Sequence, residues 1–412
     1  MAGNNRNAWN VRSSNVSKRA HNPIRQIVDK LKVDPQAQKS FISLSVGDPT
    51  VFGNFNVDQS ANDAIAKQLY TFKHNGYPPA HGTVQARDAV ARKFGIPDKA
   101  PLTANDVILT NGCSGALEIC FNVLCNPGQN ILLPCPGFSL YRSLADIKQV
   151  EGRYYRLMPE KNWQVDLEHL ESLIDDNTAA ILVNNPSNPC GSVYPREHLE
   201  AILAVAAKHH VPIIADEIYC DLVFEGNTFH PMASLTQDVP ILSVGGLAKK
   251  WLVPGWRVGW ILIQDRHDVL NKEVREGLLN LSQVILGPNS ASQGALDDIL
   301  HHTPQSFYDD TIKQLEHNTS LSLSAVSNID GLNPVTPQGA MYMMVGIDIE
   351  KFKDIASDVE FSQKLVAEEN VLCLPGQCFD YPNYIRIVIT PPADCLAEAY
   401  ERMAQFCARH RK

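Results

Sequence analysis

No apolar run in this 412-residue chain reaches the length of a membrane span, and no stretch of it is strongly basic. A membrane-spanning helix is therefore not expected, and with a net charge of −9 there is no electrostatic footprint for nucleic acid. The ten cysteines are scattered. None forms a CxxC pair, and no Cys/His group has zinc-like spacing, so no metal is expected. They read as reduced core thiols in a reducing compartment, the cytoplasm. Internal repeats, low-complexity linkers and a secretory leader are also missing. Acidic residues are absent from the start: Arg6, Arg12, Lys18, Arg19 and Arg25 all precede the first acid, Asp29. Residues 1–21 read as a mobile arm, with a mitochondrial transit peptide as the other reading.

What is present is the composition of an ordinary globular protein, 44% hydrophobic and 20% charged, able to bury a large core. The length predicts two or three domains, or a large one with a smaller one attached. From about residue 106 short apolar runs alternate with amphipathic stretches. The runs "DVILT" (106–110), "NILLP" (130–134), "AAILVNNP" (179–186), "VPIIADE" (211–217), "ILSVGG" (241–246) and "RVGWILI" (257–263) read as strands. Between them, "SGALEICFNVLC" (114–125), "SLYRSLADI" and "REHLEAILAVAAKHH" (196–210) have helical spacing. Continuous apolar strands separated by helices predict a mostly parallel sheet covered on both faces. This large α/β domain is expected over 55–305. "AMYMMVGI" and "YIRIVIT" suggest a smaller α+β domain, built from 22–54 and 306–412.

In such sheets chemistry gathers beyond the carboxyl ends of the strands. The first strand is followed by "NGCSGAL", a small-residue turn opening a helix, where free N–H groups make an anion site. The others are followed by Phe138, by Asn188, by Asp216 with Tyr219, and by Lys249. Each alone has a plainer reading, as a helix cap, a turn or a solvated charge. Together they meet the needs of one cofactor, pyridoxal 5′-phosphate. Its aldehyde needs a lysine to form a Schiff base, and Lys249 is the candidate. Its ring nitrogen needs a carboxylate, Asp216. Its ring oxygen needs the donors Tyr219 and Asn188, its ring face an aromatic, Phe138, and its phosphate a helix start and a cation, Arg257. The adjacent Lys250 reads as surface charge or a secondary contact.

The segment "GLAKKWLVPGWRVG" (246–259), with Gly246, Ala248, Lys249, Gly255, Arg257 and Gly259 on pattern, resembles the lysine signature of the class I aminotransferases of fold type I. "ILTNGCSGAL", "PCPGFSLY", "VNNPSNPCGSV", "ADEIY", "QGAMYMMVGI" and "CLPGQCFDYPNYIRIVIT" extend the resemblance over nearly the whole chain after residue 20. It implies a large domain with a mostly parallel seven-stranded sheet. It also implies roles for particular residues: Lys249 as Schiff-base lysine and acid/base, Asp216 as pyridinium partner, Tyr219 and Asn188 at the ring oxygen. Gly112, Cys113, Ser114, Gly246 and Arg257 fall around the phosphate, Arg386 on the substrate α-carboxylate, with Gly47 and Asn188 beside it. Tyr77 in "YPPAHGTVQAR" matches a tyrosine that reaches the phosphate of the partner subunit, which implies a homodimer with shared sites. The chain departs from the pattern in its Gly-Cys-Ser cradle, in Gly246 where members commonly carry serine, and in Ala86 where many carry leucine.

The implied reaction is ping-pong transamination between an aromatic amino acid, tyrosine, and a 2-oxo acid, 2-oxoglutarate or pyruvate. Rival readings are an alanine- or kynurenine-preferring aminotransferase, or a β-lyase of the same fold. A cofactor-binding transcriptional regulator finds no basic recognition helix and no room for a helix-turn-helix before residue 30.

Overall fold

The computed structural model describes residues 11–28, 39–270 and 272–412. Arg6 and Asp29 lie outside the described residues. The strands in chain order are β1 (Ile42–Ser43), β2 (Val107–Asn111), β3 (Asn130–Cys135), β4 (Glu151–Met158), β5 (Gln164–Val165), β6 (Thr178–Asn184), β7 (Ile213–Asp216), β8 (Ile241–Gly246), β9 (Val258–Gln264), β10 (Leu332–Pro334), β11 (Tyr342–Ile347), β12 (Val371–Leu372), β13 (Leu374–Pro375) and β14 (Tyr384–Val388). The large sheet has the order β2-β9-β8-β7-β6-β3-β4-β5. The pairings among β8, β7, β6, β3 and β4 are parallel, whereas β9 runs antiparallel to both its neighbours. The expected seven strands are thus joined by an eighth, the two-residue β5, which forms an antiparallel edge with β4. β4 itself, "EGRYYRLM", was not among the apolar runs because only two of its residues are fully buried.

Side chains alternate between the two faces of this sheet. Ile131, Leu133, Leu182, Ile214, Leu242 and Ile261 pack on one side with Ala116, Leu117, Cys120 and Phe121 of α3 (Gly112–Leu124). Leu132, Ile181, Val183, Ile213 and Ile241 pack on the other with Leu199, Ile202 and Leu203 of α5 (Arg196–His209). Both faces are dry, which is why these strands read as unbroken apolar runs. A Leu182→Ala truncation in this core would cost about 2–5 kcal/mol.

The second sheet, β10-β11-β14-β13, is antiparallel. Segment 42–54 joins the C-terminal part of the chain from far away in sequence, through a separate two-stranded sheet and two further bonds. β1 pairs with β12, Val388 donates its backbone N–H to the Leu44 carbonyl at 2.9 Å, and Asn54 Nδ2 donates to the Thr390 carbonyl at 2.8 Å. Residues 11–28 carry two short helices, α1 (Asn15–Arg19) and α2 (Pro23–Val28). Ile24, Ile27 and Val28 of α2 pack on Leu374, Cys378 and Phe379. The His21 carbonyl accepts the Ser143 hydroxyl from α4 (Ser139–Lys148).

Candidate active site

Between the two sheets lies a cavity of about 430 Å³. The carboxyl ends of the parallel strands open into it, so one wall comes from the large sheet and the other from the segment after β1 and from β11, β13 and β14. Of the residues singled out from sequence, Gly47, Cys113, Ser114, Phe138, Asn188, Asp216, Tyr219, Lys249, Arg257 and Arg386 line it. Gly112, Gly246 and Tyr77 do not.

Asp216 ends β7 and is 3% exposed. Three donors face its carboxylate: the Tyr141 hydroxyl at 2.6 Å on Oδ2, and the Ile218 N–H at 3.2 Å and the Cys113 thiol at 3.7 Å on Oδ1. Burial raises its pKa against these donors and the charge of Lys249. It is an acid short of a cationic partner. Lys249 stands in the turn after β8; its Nζ donates to the Gly47 carbonyl and lies 5.8 Å from the centre of the Tyr219 ring. Tyr219 is buried, with its hydroxyl 2.7 Å from that of Tyr342. Burial and the Tyr342 oxygen push the Tyr219 phenol up.

Arg386, on β14, is 3% exposed. Nη1 donates to Asn188 Oδ1 at 3.0 Å and Nη2 to the Ser45 carbonyl at 2.6 Å, while Nε has no partner. The Tyr342 and Phe379 rings flank the guanidinium, with centroids 4.5 and 5.0 Å away. A planar fork, buried and with hydrogens to spare, suits a carboxylate. Because Asn188 Oδ1 is taken by Arg386, its amide Nδ2 is the end left to donate.

At the start of α3, Asn111 makes no side-chain cap, which leaves the first N–H groups open. Gly112 has φ +73°, and a Cβ there would sit 2.5 Å from Arg257 Nη2. Arg257 itself donates to the Pro254 carbonyl at 2.9 Å and the Asn111 carbonyl at 3.3 Å. Gly112 therefore lets the arginine and the helix start approach one another. Gly246 acts on packing: a Cβ there would meet the Val258 carbonyl at 2.6 Å. Phe138 precedes α4, edge-on to Tyr141 at 5.7 Å.

Lys250 is not surface charge. It is 7% exposed, ion-paired with Asp221, and sits 5.4 and 5.0 Å from the Trp251 and Tyr308 rings. Burial alone would lower its pKa, but Cys220 and Asp221 outweigh that and hold it above the usual lysine value. Sequence reasoning also missed Tyr141 and Tyr342, both lining the cavity. Tyr141 stands three positions after Phe138, a spacing that places both on one helical face. Tyr342 gave no local signal, since Tyr219 lies 123 residues away.

A profile of the family described as "Aminotransferase class I and II" matches residues 39–403, and the chain belongs to that family. Its fold is that of the fold type I enzymes. Over 402 residues it is 56% identical to the tyrosine aminotransferase of Mus musculus, covering 98% of this chain and 88% of that one. It is 50% identical over 408 residues to the tyrosine aminotransferase of Dictyostelium discoideum, covering 98% of each. The crystal structure of tyrosine aminotransferase from Leishmania infantum superposes with a TM-score of 0.95 at 35% identity, over 98% of this chain and 100% of that one. Among the described residues no helix is long and apolar enough to cross a membrane.

Proposed function

We propose that this chain transfers the amino group of tyrosine to a 2-oxo acid, 2-oxoglutarate or pyruvate, releasing 4-hydroxyphenylpyruvate, in cytoplasmic aromatic amino acid catabolism. The observation that carries the reading is the placement of Lys249, buried Asp216 and the Arg386 fork around one cavity, in which the apolar Ile24, Val28, Val46 and Leu374 stand beside Arg25 and Asp48.

The residues fit pyridoxal 5′-phosphate. Asp216 lacks a cation and would hold the ring nitrogen. Phe138 would cover a ring face, and Tyr219 and Asn188 Nδ2 would donate to the ring oxygen. The open N–H groups of Cys113 and Ser114 with Arg257 would hold the phosphate, and the Gly112 gap keeps that cradle free of a side chain. When bound, the cofactor supplies an aldehyde for Lys249 and an electron-withdrawing ring. Arg386 takes the substrate α-carboxylate in its fork and so fixes the Cα–H bond relative to Lys249. Lys249 Nζ removes that proton as general base and later returns it as general acid. Asp216 keeps the ring nitrogen protonated throughout. Ile24, Val28, Val46 and Leu374 offer an apolar surface for the aromatic side chain.

The exposed apolar residues Tyr70, Phe72, Tyr77, Val284 and Ile285 support a homodimer. Their two segments adjoin, since Ser290 Oγ donates to the His74 carbonyl. Tyr77 is 92% exposed and outside its own cavity, the placement expected of a side chain that serves the partner's phosphate. Such interfaces bury more than about 2,000 Å².

The test is a panel of amino donors, tyrosine, phenylalanine, alanine and kynurenine, against pyruvate and 2-oxoglutarate. Tyrosine turnover that depends on the acceptor supports the reading. Preference for alanine or kynurenine, or acceptor-independent release of a thiol or ammonia, replaces it with one of its rivals.

A further inference from the structure

Two phenols face each other in this site, and only one of them has a task so far. Tyr342 opens β11, is buried, and places its hydroxyl 2.7 Å from that of Tyr219. Its surroundings are charged. Arg386 stacks on its ring at 4.5 Å, and the Lys249 ammonium lies close enough to bond its oxygen. Gly47 makes the room: a Cβ there would stand 2.7 Å from the Tyr342 hydroxyl oxygen. One oxygen thus stands beside the phenol meant for the ring oxygen and the lysine meant for the aldehyde, in the space that Gly47 leaves open.

A phenol has one proton and two lone pairs. Tyr219 cannot both donate to a ring oxygen and donate to Tyr342. We propose that Tyr342 is a positioning residue: its hydroxyl donates to Tyr219 and so turns the single proton of Tyr219 toward the cofactor's ring oxygen. This rests on the reading of the site given above. The chain of donors runs from Tyr342 to Tyr219 Oη, and from Tyr219 into the cavity. Each bond in such a chain polarises the next. The titratable and charged groups that face the pair are Lys249, Arg386 and Asp216. Burial works to raise the Tyr342 phenol, but the Lys249 and Arg386 charges and hydrogen bonds from Tyr219 and Lys249 outweigh it and hold its pKa below the ordinary value while Lys249 is a free ammonium. With Lys249 joined to the aldehyde that ammonium is gone, and a Tyr219 that still donated to Tyr342 would leave the ring oxygen without its phenol.

The experiment uses the holoenzyme of Tyr342→Phe, which keeps the ring under Arg386 and beside Tyr219 and deletes one oxygen. The readout is the pH midpoint at which the visible absorbance of the bound cofactor titrates. A ring oxygen with a weaker donor holds the shared proton more tightly, so the midpoint rises by roughly half a pH unit or more. The same substitution in a Tyr219→Phe background produces no further rise, because the effect runs through Tyr219. Gly47→Ala, which crowds the hydroxyl without removing it, shifts the midpoint in the same direction and serves if Tyr342→Phe does not fold. An unchanged or lowered midpoint in Tyr342→Phe overturns the inference, as does a full shift in the Tyr219→Phe background. A wild-type protein with no visible band, or one whose cofactor borohydride fails to fix on Lys249, overturns the reading of the site itself.

Discussion

Tyr141 donates its hydroxyl to Asp216 Oδ2 at 2.6 Å from the first turn of α4, the helix that begins just after Phe138. Phe138, proposed to cover a ring face, and Tyr141, which bonds Asp216, are therefore held by the start of one helix. Tyr141→Phe leaves Asp216 with one backbone N–H and a distant thiol. A hydrogen bond to a charged group is worth about 1.5–3 kcal/mol, so proton abstraction from Cα should slow by roughly 10- to 100-fold. Single-turnover kinetics with tyrosine measures it. A rate within twofold of wild type would show that Asp216 needs no such support.

Arg386→Lys keeps the charge and loses the fork. Asn188 Oδ1 and the Ser45 carbonyl would each lose a directed donor, and the α-carboxylate its two parallel bonds. kcat/KM should fall by about 10²-fold in both half-reactions, since amino acid and 2-oxo acid present the same carboxylate. Stopped-flow measurement of each half-reaction separately decides the point. Slowing confined to one of them would mean that the arginine reads a side chain.

The two adjacent lysines should separate cleanly. Lys249→Ala retains cofactor weakly and loses turnover by several orders of magnitude. Lys250→Met strands Asp221, which is largely exposed and stays solvated. The loss is therefore one of packing and pairing, about 1–3 kcal/mol of stability, with borohydride still fixing cofactor on Lys249. Peptide mapping of the reduced proteins checks both, and label on Lys250 would reverse the assignment.

Glu217 predicts a pH dependence of stability. It opens only onto a narrow crevice beside Trp260, and burial raises its pKa to about 7, against its bonds from the Met232 N–H and Ser243. A carboxyl with a raised folded-state pKa contributes most below its unfolded value, near 4.5. That contribution is lost as pH rises through about 7. Glu217→Gln removes the dependence while keeping an acceptor for Met232. Its Tm should gain on wild type by a few degrees between pH 5 and pH 8, then level off. Parallel melts at four pH values suffice, and a constant gap would contradict the shift.

The sequence carried the large sheet because its strands are dry on both faces, and an unbroken apolar run needs no alignment to read. β4 escaped because its alternating, half-wet pattern looks like a loop. Phe138, Asn188, Asp216, Tyr219 and Lys249 could be grouped because one proposed cofactor would use them all, and they line one cavity. Lys250 was misread because what keeps a charge buried is not local: Asp221 and Tyr308 stand 29 and 58 positions away along the chain. Tyr342 was invisible for the same reason, since its meaning lies in Tyr219 and Gly47.

Where α3 begins, the contact is backbone against backbone. A Cβ on Gly259 would fall 2.3 Å from the Gly112 carbonyl carbon, and Gly259 is paired across the sheet with Gly246. Three glycines in contact have no rotamers to exchange and nothing to compress. The depth at which an anion rests on α3 is then set by the thickness of the peptide chain, a length that no substitution elsewhere can tune. Lys249 hangs from the same β8–β9 pair, so the lysine and the helix start are both measured from one rigid ruler. The opposite wall is under no such constraint, because α2, β13 and the segment after β1 line the cavity with side chains that can change size.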